Sequence, residues 1–201
     1  MTACAALVLA AGAGSRLGRP KALVRIGGEL LVERAVRVAR DAGCAPVVVV
    51  LGADAADVVT QADLQDALVL VNDAWPEGMG ASLRVGLRAL AEISAEAAVV
   101  LLVDQPRISA DIVRRVAQAP ASPAVAASYA GRPGNPVRLH AAVWDDVCAS
   151  AVGDVGARAW MRTHPGDVDL VACDDLGSDD DIDTPDDLTR MLDDAKMEPK
   201  A

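Results

Sequence analysis

Aromatic side chains are scarce in this chain. Its 201 residues include no phenylalanine, one tyrosine and three tryptophans, although 52% of the residues are hydrophobic. The apolar residues are mostly alanine, valine and leucine, which predicts a core packed from many small side chains. No apolar run reaches the roughly 20 residues that a membrane-spanning helix needs. The sequence therefore predicts no membrane partner.

Histidine and paired cysteines, which supply most zinc ligands and many catalytic nucleophiles, are nearly missing. The two histidines, His140 and His164, belong to no metal-binding or catalytic arrangement, and we interpret both as structural. The four cysteines lie far apart and form no C-x-x-C pair: Cys4, Cys44, Cys148 and Cys173. We interpret them as reduced thiols of a cytoplasmic protein.

Positive charge is in the minority, but it is concentrated near the start of the chain. The net charge of −10 argues against a general nucleic-acid binder, which needs a basic face. Residues 1–40 nevertheless hold seven Lys and Arg residues against two acids, whereas residues 167–201 hold thirteen acids against three bases. This distribution favours a small anionic ligand bound by the basic segment. Most of the late acids are interpreted as a solvated surface.

Apolar segments of strand length alternate with helical patterns along the chain. The predicted strands cover residues 5–10, 46–52, 67–71, 97–103 and 123–128. The predicted helices cover residues 29–42, 54–62, 82–93 and 109–117. Continuously apolar strands joined by helices predict one doubly wound α/β domain, with a mostly parallel sheet covered on both faces. We expect this domain to span residues 1–192 and a flexible tail to span residues 193–201. Ligands of such sheets bind beyond the carboxyl ends of the strands.

The first predicted strand runs into a basic, glycine-rich loop, AGAGSRLGRPK, at residues 11–21. Glycines let backbone N–H groups form a cradle for phosphate oxygens, and Arg16 and Lys21 add positive charge. The loop fits neither the dinucleotide fingerprint, where Leu17 replaces the third glycine, nor the P-loop. A purely structural turn is the alternative. No basic residue precedes Arg16, which argues against a secretory signal.

Two aspartates are candidate metal ligands. Asp104 follows a predicted strand in LLVDQP, where a turn or helix cap is the alternative role. Asp183 lies in DIDTPDD, where Thr184, Pro185 and Asp187 predict a helix start with a capping-box-like pattern and leave Asp183 free. Together the two carboxylates could share one Mg²⁺, which binds hard oxygen ligands.

The segment LAAGAGSRLGRPK resembles the signature L-A-x-G-x-x-x-R-x-G-x-x-K of the MobA-like NTP transferases. Its Ala-Ala-Gly form, with proline before lysine, is similar to the branch that makes molybdenum cofactor cytidine dinucleotide. The resemblance implies a Rossmann-like nucleotidyltransferase fold in which this loop wraps the triphosphate of a nucleotide. The implied nucleotide-binding residues of the loop are Leu9, Ala10, Ala11, Gly12, Ala13, Gly14, Ser15, Arg16 and Lys21.

Later segments extend the resemblance to about residue 188. NDAWPEGMGASLRVGL is similar to a stretch that faces the base and sugar, which implies contacts from Gly80 and Ser82; helix N-capping is the alternative role of Ser82. GRPGNPVRL and GDVGARAWM resemble acceptor-side segments and imply acceptor binding by Gly134, Asn135 and Arg158. Asn135 stands where the family usually has histidine, and Arg158 could equally be a surface helix residue. Asp104 and Asp183 match the metal-binding aspartates of the family.

Together with the resemblance, these residues imply a Mg²⁺-dependent nucleotidyltransferase with Arg16, Lys21 and Asp104 as catalytic residues. The expected substrates are CTP or another NTP and a phosphorylated acceptor, above all molybdopterin, with a molybdoenzyme as further partner. Guanylyl transfer, another phosphorylated acceptor and a non-catalytic cofactor carrier are the alternatives. A nicotinamide oxidoreductase is less favoured, because of Leu17 and because Asp41 has no clear ribose-binding context.

Overall fold

The computed structural model describes residues 4–197. The described strands are β1 (Ala5–Ala10), β2 (Arg25–Ile26), β3 (Glu29–Leu30), β4 (Val47–Leu51), β5 (Leu68–Val71), β6 (Ala97–Leu102), β7 (Ala124–Tyr129), β8 (Arg132–His140) and β9 (Val168–Ala172). The described α-helices are α1 (Leu31–Asp41), α2 (Ala55–Gln61), α3 (Met79–Glu92), α4 (Ala110–Ala117), α5 (Trp144–Ser150), α6 (Arg158–Thr163) and α7 (Pro185–Met197). Short 3-10 turns connect several of these elements.

A seven-stranded sheet is the centre of the molecule, with the strand order β5-β4-β1-β6-β8-β7-β9. Strand β8 is antiparallel to its neighbours β6 and β7, while the other pairs in the sheet are parallel. The predicted single α/β domain with a mostly parallel sheet is therefore confirmed. Strands β2 and β3 form a separate small hairpin.

Two hydrophobic clusters cover the two faces of this sheet. Successive residues of β1 alternate between them: Ala6 and Val8 pack in the cluster beside α1 and α4, whereas Leu7 and Leu9 pack in the cluster beside α3 and α5. This alternation follows from the strand geometry, because neighbouring side chains point to opposite faces. Both clusters consist largely of small aliphatic side chains, as the composition predicts.

The chain reverses its direction of travel across the sheet at β1. It runs from β1 to β4 and β5 on one side and then returns to β6 on the other side of β1. Such a switch point leaves a crevice beyond the carboxyl ends of the two central strands. The glycine-rich loop follows β1, and Asp104 follows β6. The topology thus brings both predicted segments to one crevice.

Several elements differ from the sequence-based expectation. Helix α1 begins at Leu31 because Glu29 and Leu30 pair with the preceding strand in the β2–β3 hairpin. Strands β8 and β9 and helices α5 and α6 are not among the predicted elements. Helix α7 passes through residue 192, so the expected domain boundary falls inside a helix, and residues 198–201 of the expected tail lie outside the described residues. Over the described residues, no helix combines the length and the hydropathy needed to cross a bilayer.

Candidate active site

The loop after β1 is compact and depends on one glycine in particular. The carbonyl oxygen of Gly14 accepts hydrogen bonds from the N–H groups of Leu17, at 2.8 Å, and Gly18, at 2.9 Å. Gly14 has a φ of +60°, which favours glycine. A Cβ at Gly14 would collide with the backbone carbonyl oxygen of Arg19. The loop therefore closes on itself only because residue 14 has no side chain.

Lys21, at the end of this loop, binds both predicted metal ligands. Its Nζ lies 2.6 Å from Asp104 Oδ2 and 2.5 Å from Asp183 Oδ1. Arg16 donates a further hydrogen bond of 2.7 Å to Asp183 Oδ2. The side chains of Lys21, Asp104 and Asp183 are only 16%, 19% and 24% exposed, so water screens their charges incompletely. The structure thus joins residues that are up to 167 positions apart in the sequence.

The backbone explains how Asp183 reaches Asp104. The N–H of Ile182 donates to the carbonyl oxygen of Asp104 at 2.9 Å, which ties residues 181–183 to the chain leaving β6. Ile182 is fully buried, whereas Asp181 and Asp183 both line the cleft. The following helix start is as predicted: Asp187 Oδ2 accepts hydrogen bonds from the N–H of Thr184, at 2.9 Å, and from its hydroxyl, at 2.7 Å.

The close contacts shift the pKa values of the charged groups. Burial lowers the pKa of Lys21, but the carboxylates of Asp104 and Asp183 outweigh this effect and raise it above its ordinary value. The hydrogen bond from Lys21 holds the pKa of Asp183 below its ordinary value. Burial, with the negative charges of Asp183 and Asp104, raises the pKa of Asp181. Negative charge therefore accumulates at this end of the cleft, where a cation is stabilised.

The aspartate pair fits a hard divalent cation. Oxygens from Asp104 and Asp183 converge on one point, the ammonium nitrogen of Lys21, which stands in for a shared cation. Mg²⁺ typically takes one or two carboxylates and completes its coordination with phosphate oxygens and water. Among the described residues, no cluster of three or more His, Cys, Asp or Glu side chains is arranged to hold a metal. A two-carboxylate site therefore depends on a substrate for its remaining ligands.

These groups line a cleft with a volume of about 870 Å³. Predicted site residues that line it are Leu9, Ala11, Gly12, Ala13, Gly14, Ser15, Arg16, Lys21, Ser82, Asp104, Asn135, Arg158 and Asp183. Three predicted residues, Ala10, Gly80 and Gly134, are not part of its lining. The cleft is large enough for a small-molecule substrate of nucleotide size.

Gly80 and Gly134 lie where other parts of the chain approach the backbone closely. A Cβ at Gly80 would be 2.5 Å from the carbonyl oxygen of Ala151, so glycine allows the first turn of α3 to pack against that segment. A Cβ at Gly134 would collide with the carboxylate of Asp179. Both glycines therefore lie where neighbouring segments leave little room for a side chain, and the substrate contacts implied by the resemblance stay a prediction.

Ser82 lines the cleft, but it does not cap the helix. Helix α3 begins at Met79 with Gly78 as its N-cap, so the alternative role of Ser82 as an N-cap is wrong. Its buried hydroxyl instead accepts a hydrogen bond of 3.0 Å from Asn72 Nδ2. Asn72 Oδ1 accepts from the N–H of Ala74 at 3.1 Å, which fixes the amide orientation. This buried polar pair positions the Ser82 side chain at the cleft wall.

A family model described as "MobA-like NTP transferase domain" matches residues 6–168. The chain belongs to the MobA-like NTP transferase family. Homologues in this family include nucleotidyltransferases, in agreement with the activity that the resemblance implies.

Relatives of this MobA-like transferase have different names. It is 39% identical over 196 residues to "Nicotine blue oxidoreductase" of Paenarthrobacter nicotinovorans, covering 92% of this chain and 95% of that protein. It is 38% identical over 113 residues to "Probable molybdenum cofactor guanylyltransferase" of Opitutus terrae, covering 54% of this chain and 52% of that protein.

A solved structure shares nearly the whole fold of this MobA-like transferase. The crystal structure of Rv0371c from Mycobacterium tuberculosis H37Rv matches with a TM-score of 0.83 and 33% identity, over 96% of this chain and all of that chain. A structure of Rv0371c in complex with manganese matches with a TM-score of 0.77 and 30% identity, over 96% and 99% of the two chains.

Two residues of this MobA-like transferase that were not predicted as site residues line the cleft beside predicted ones. Asp181 is two positions before Asp183, and the apolar Ile182 between them could have indicated that both carboxylates face the same way. Trp75 lines the cleft and packs against Gly52, where a Cβ would be 2.6 Å from Trp75 Cβ.

Two further lining residues, Gln105 and Asp154, also hold the cleft together. The amide of Gln105 donates to the carbonyl oxygen of Asp179 at 2.8 Å. Asp154 Oδ1 accepts from the N–H of Met79 at 3.2 Å. Each contact joins segments that are distant in the chain, by 74 and 75 positions, so no local pattern indicates them.

Proposed function

We propose that this transferase moves a cytidylyl group from CTP to the phosphate of a molybdopterin-type acceptor and releases pyrophosphate. The observation that carries this proposal is the convergence of Lys21 with Asp104 and Asp183 beside the glycine loop in one cleft. A basic, amide-lined loop binds phosphate oxygens, and a carboxylate pair binds the divalent ion that accompanies a nucleoside triphosphate. These two halves of a nucleotide site meet at the ends of β1 and β6.

The residues act mainly by positioning and by neutralising charge. Backbone N–H groups of residues 11–15 hold the β- and γ-phosphates, while Arg16 and Lys21 offset the charge that develops on the α-phosphoryl group and on pyrophosphate. An acceptor phosphate oxygen attacks the α-phosphorus and the pyrophosphate oxygen leaves, so no protein nucleophile is needed. Asp104 and Asp183 would hold Mg²⁺, which when bound supplies further charge neutralisation at phosphorus.

The nucleotide preference rests on the glycine loop. Ala11 and Pro20 give this loop the form that resembles the cytidylyl branch of the family. A relative named a guanylyltransferase shares the family, so GTP is the principal alternative. On the acceptor side, Arg158 is exposed at the cleft and its side chain makes no ion pair with another described residue, so it is available for an anionic group. Asn135 offers an amide in place of a histidine.

A thermal-shift screen of CTP, GTP, ATP and UTP with Mg²⁺ tests the nucleotide. Because a ligand that binds only the folded protein raises its melting temperature, CTP is expected to give the largest shift. Asp104→Asn, which keeps the side-chain shape, is the matched control. It is expected to lose the part of the CTP-induced shift in melting temperature that depends on Mg²⁺. Pyrophosphate release from CTP, measured with and without the pterin acceptor, separates an enzyme from a non-catalytic carrier. A larger shift with GTP would overturn the cytidylyl assignment.

An oxidoreductase is the second candidate function, favoured by one observation. The relative that is matched over 95% of its length is named "Nicotine blue oxidoreductase". None of the four cysteines belongs to the cleft lining given by the described residues, so electrons would have to come from a bound cofactor. Fluorescence titration with NADH and NADPH tests this function. Saturable binding with oxidation of the cofactor by a dye would favour it, whereas CTP-dependent pyrophosphate release favours nucleotidyl transfer.

A further inference from the structure

Lys21 lies where a cation shared by two carboxylates would lie. Its ammonium nitrogen is 2.6 Å from Asp104 Oδ2 and 2.5 Å from Asp183 Oδ1, and its side chain is 16% exposed. Arg16 contacts the other oxygen of Asp183, so two positive side chains pair with these two carboxylates, and Asp181 adds a third acidic group nearby. The free protein therefore supplies its own counter-ions to Asp104 and Asp183.

The ammonium group and a metal ion exclude each other at this point. Mg²⁺ lies about 2.0–2.1 Å from each of its oxygen ligands, so an ion on both carboxylates would contact Lys21 Nζ. Like charges at such a distance repel strongly in a site that is only partly hydrated. Lys21 must leave at least one carboxylate before the pair can hold a metal.

The glycine loop offers the ammonium group another position. Lys21 follows directly on the loop, and the loop and the aspartates line the same cleft. A triphosphate in the loop would present oxygen acceptors to Lys21. We propose that Lys21 is an exchangeable counter-ion, which neutralises Asp104 and Asp183 in the free protein and moves to the nucleotide phosphates, so that nucleotide binding opens the metal site. This inference rests on the nucleotide-binding function proposed above.

The exchange couples the two ligands thermodynamically. The nucleotide-free protein binds a divalent ion weakly, because the ion must displace Lys21 without a new partner for it. A bound nucleotide removes that cost, and by reciprocity a bound ion promotes nucleotide binding. The weak metal binding of the free protein is thus a property of Lys21, not of the carboxylates.

Mn²⁺ binding to the nucleotide-free protein tests this exchange directly. Free Mn²⁺ is measured by electron paramagnetic resonance with the wild type, Lys21→Met and Arg19→Met. Arg19 is the matched control, because it carries the same charge in the same loop, is exposed, and contacts neither carboxylate. Lys21→Met is expected to bind Mn²⁺ at least about fivefold more tightly than the wild type, the lower end of typical site-to-site coupling. The Mn²⁺ affinity of Arg19→Met is expected to stay within about twofold of the wild-type value.

Two further variants keep the test decisive. The gain in Mn²⁺ affinity caused by Lys21→Met is expected to disappear when Asp104→Asn is added. A gain that survived in this double variant would mean that the ion binds elsewhere and would refute the proposal. Lys21→Gln repeats the measurement with a polar side chain. Because both Lys21 variants leave the carboxylates less neutralised, Mn²⁺ is expected to raise their melting temperatures more than that of the wild type. Equal affinities for Lys21→Met and Arg19→Met, or an equal thermal effect of Mn²⁺, would overturn the exchange.

A separate titration distinguishes the failure of this inference from that of the proposed function. CTP is titrated into the wild type by calorimetry, once with Mg²⁺ and once in EDTA. If CTP binds under neither condition, the nucleotide function fails, whereas tighter Mn²⁺ binding by Lys21→Met still supports internal neutralisation by the lysine. If CTP binds but the Mn²⁺ affinities do not differ, only the exchange fails.

Discussion

Single residues of the glycine loop have separable roles. Gly14 combines a φ of +60° with a backbone carbonyl where its side chain would be, so the loop itself requires glycine there. A Cβ at Gly12, by contrast, would meet no other atom within 4 Å, and this residue is exposed to the cleft. The packing around Gly12 therefore does not require glycine, and we expect its missing side chain to leave room for a ligand.

Gly14→Ala is expected to destabilise the protein. Alanine would adopt an unfavourable left-handed conformation and collide with Arg19, which together cost about 1–3 kcal/mol in the free energy of unfolding. Urea denaturation measures this loss. Gly12→Ala is the matched control: its unfolding free energy is expected to stay unchanged while its affinity for CTP falls, since a methyl group enters the phosphate cradle. Equal stability of the two variants would contradict this division of roles.

The contact between Lys21 and Asp183 predicts an acid-dependent loss of stability. The folded state holds the pKa of Asp183 below the ordinary 3.8. Its stabilising contribution is therefore complete above pH 3.8 and is lost as the pH falls through the lower, folded-state pKa. The difference in unfolding free energy between the wild type and Asp183→Asn should stay constant from pH 7 to about pH 4. Below that it should shrink, and a difference that stayed constant down to about pH 2 would show that the ion pair does not stabilise the fold.

At the scale of elements, hydrophobic patterning is sufficient to predict the central strands but not β8. Strands β1, β4 and β6 are continuous apolar runs, and their predicted ends lie within one residue of the structure. The sequence of β8 contains Gly134 and two prolines, which are typical of turns. The strand accommodates them through an irregular register: Ala126 pairs with Val137 but Ser128 pairs with Pro133. This irregularity depends on strand β7, so the local sequence cannot predict it.

Prediction of the candidate site is limited in the same way, because local sequence does not indicate contacts with distant segments. Lys21, Asp104 and Asp183 could be predicted because each follows or precedes an element with a clear pattern, and parallel strands end at one edge. The close packing at Gly80 could not be predicted, because the backbone that it packs against belongs to Ala151, 71 positions later in the chain. A resemblance identifies a conspicuous glycine but does not say which atoms approach it. Helix packing between distant segments decides that.

Gly80→Ala distinguishes a packing role from a nucleotide contact. Alanine favours a helix by about 1 kcal/mol, but its methyl group would lie 2.5 Å from the carbonyl oxygen of Ala151, a backbone atom with little freedom to move. We expect a net loss of about 1–2 kcal/mol in the free energy of unfolding, as for other overpacked sites. The measurement is urea denaturation combined with CTP titration. Unchanged stability with weaker CTP binding would instead indicate direct contact with the nucleotide.

At the scale of the whole molecule, the shared sheet couples the two hydrophobic clusters. Each central strand contributes alternate side chains to both clusters, so separating the helices on one face exposes the strands that support the other. Small domains built in this way usually unfold in one cooperative transition. The cleft at the end of the sheet draws residues from both sides, and its geometry therefore depends on the integrity of the entire domain.

Natural probes on opposite faces allow this cooperativity to be measured. Trp144 and Trp160 are buried in the cluster beside α3, whereas Cys44 and Cys173 are buried in the cluster beside α1. We expect tryptophan fluorescence, labelling of Cys44 and Cys173 read separately by peptide mass spectrometry, and far-UV circular dichroism to give the same urea midpoint, because the faces unfold together. Thiol labelling at a lower urea concentration than the fluorescence change would mean that the α1 face opens first. In that case the loop bearing Lys21 would lose its support while the α3 wall of the cleft remained folded.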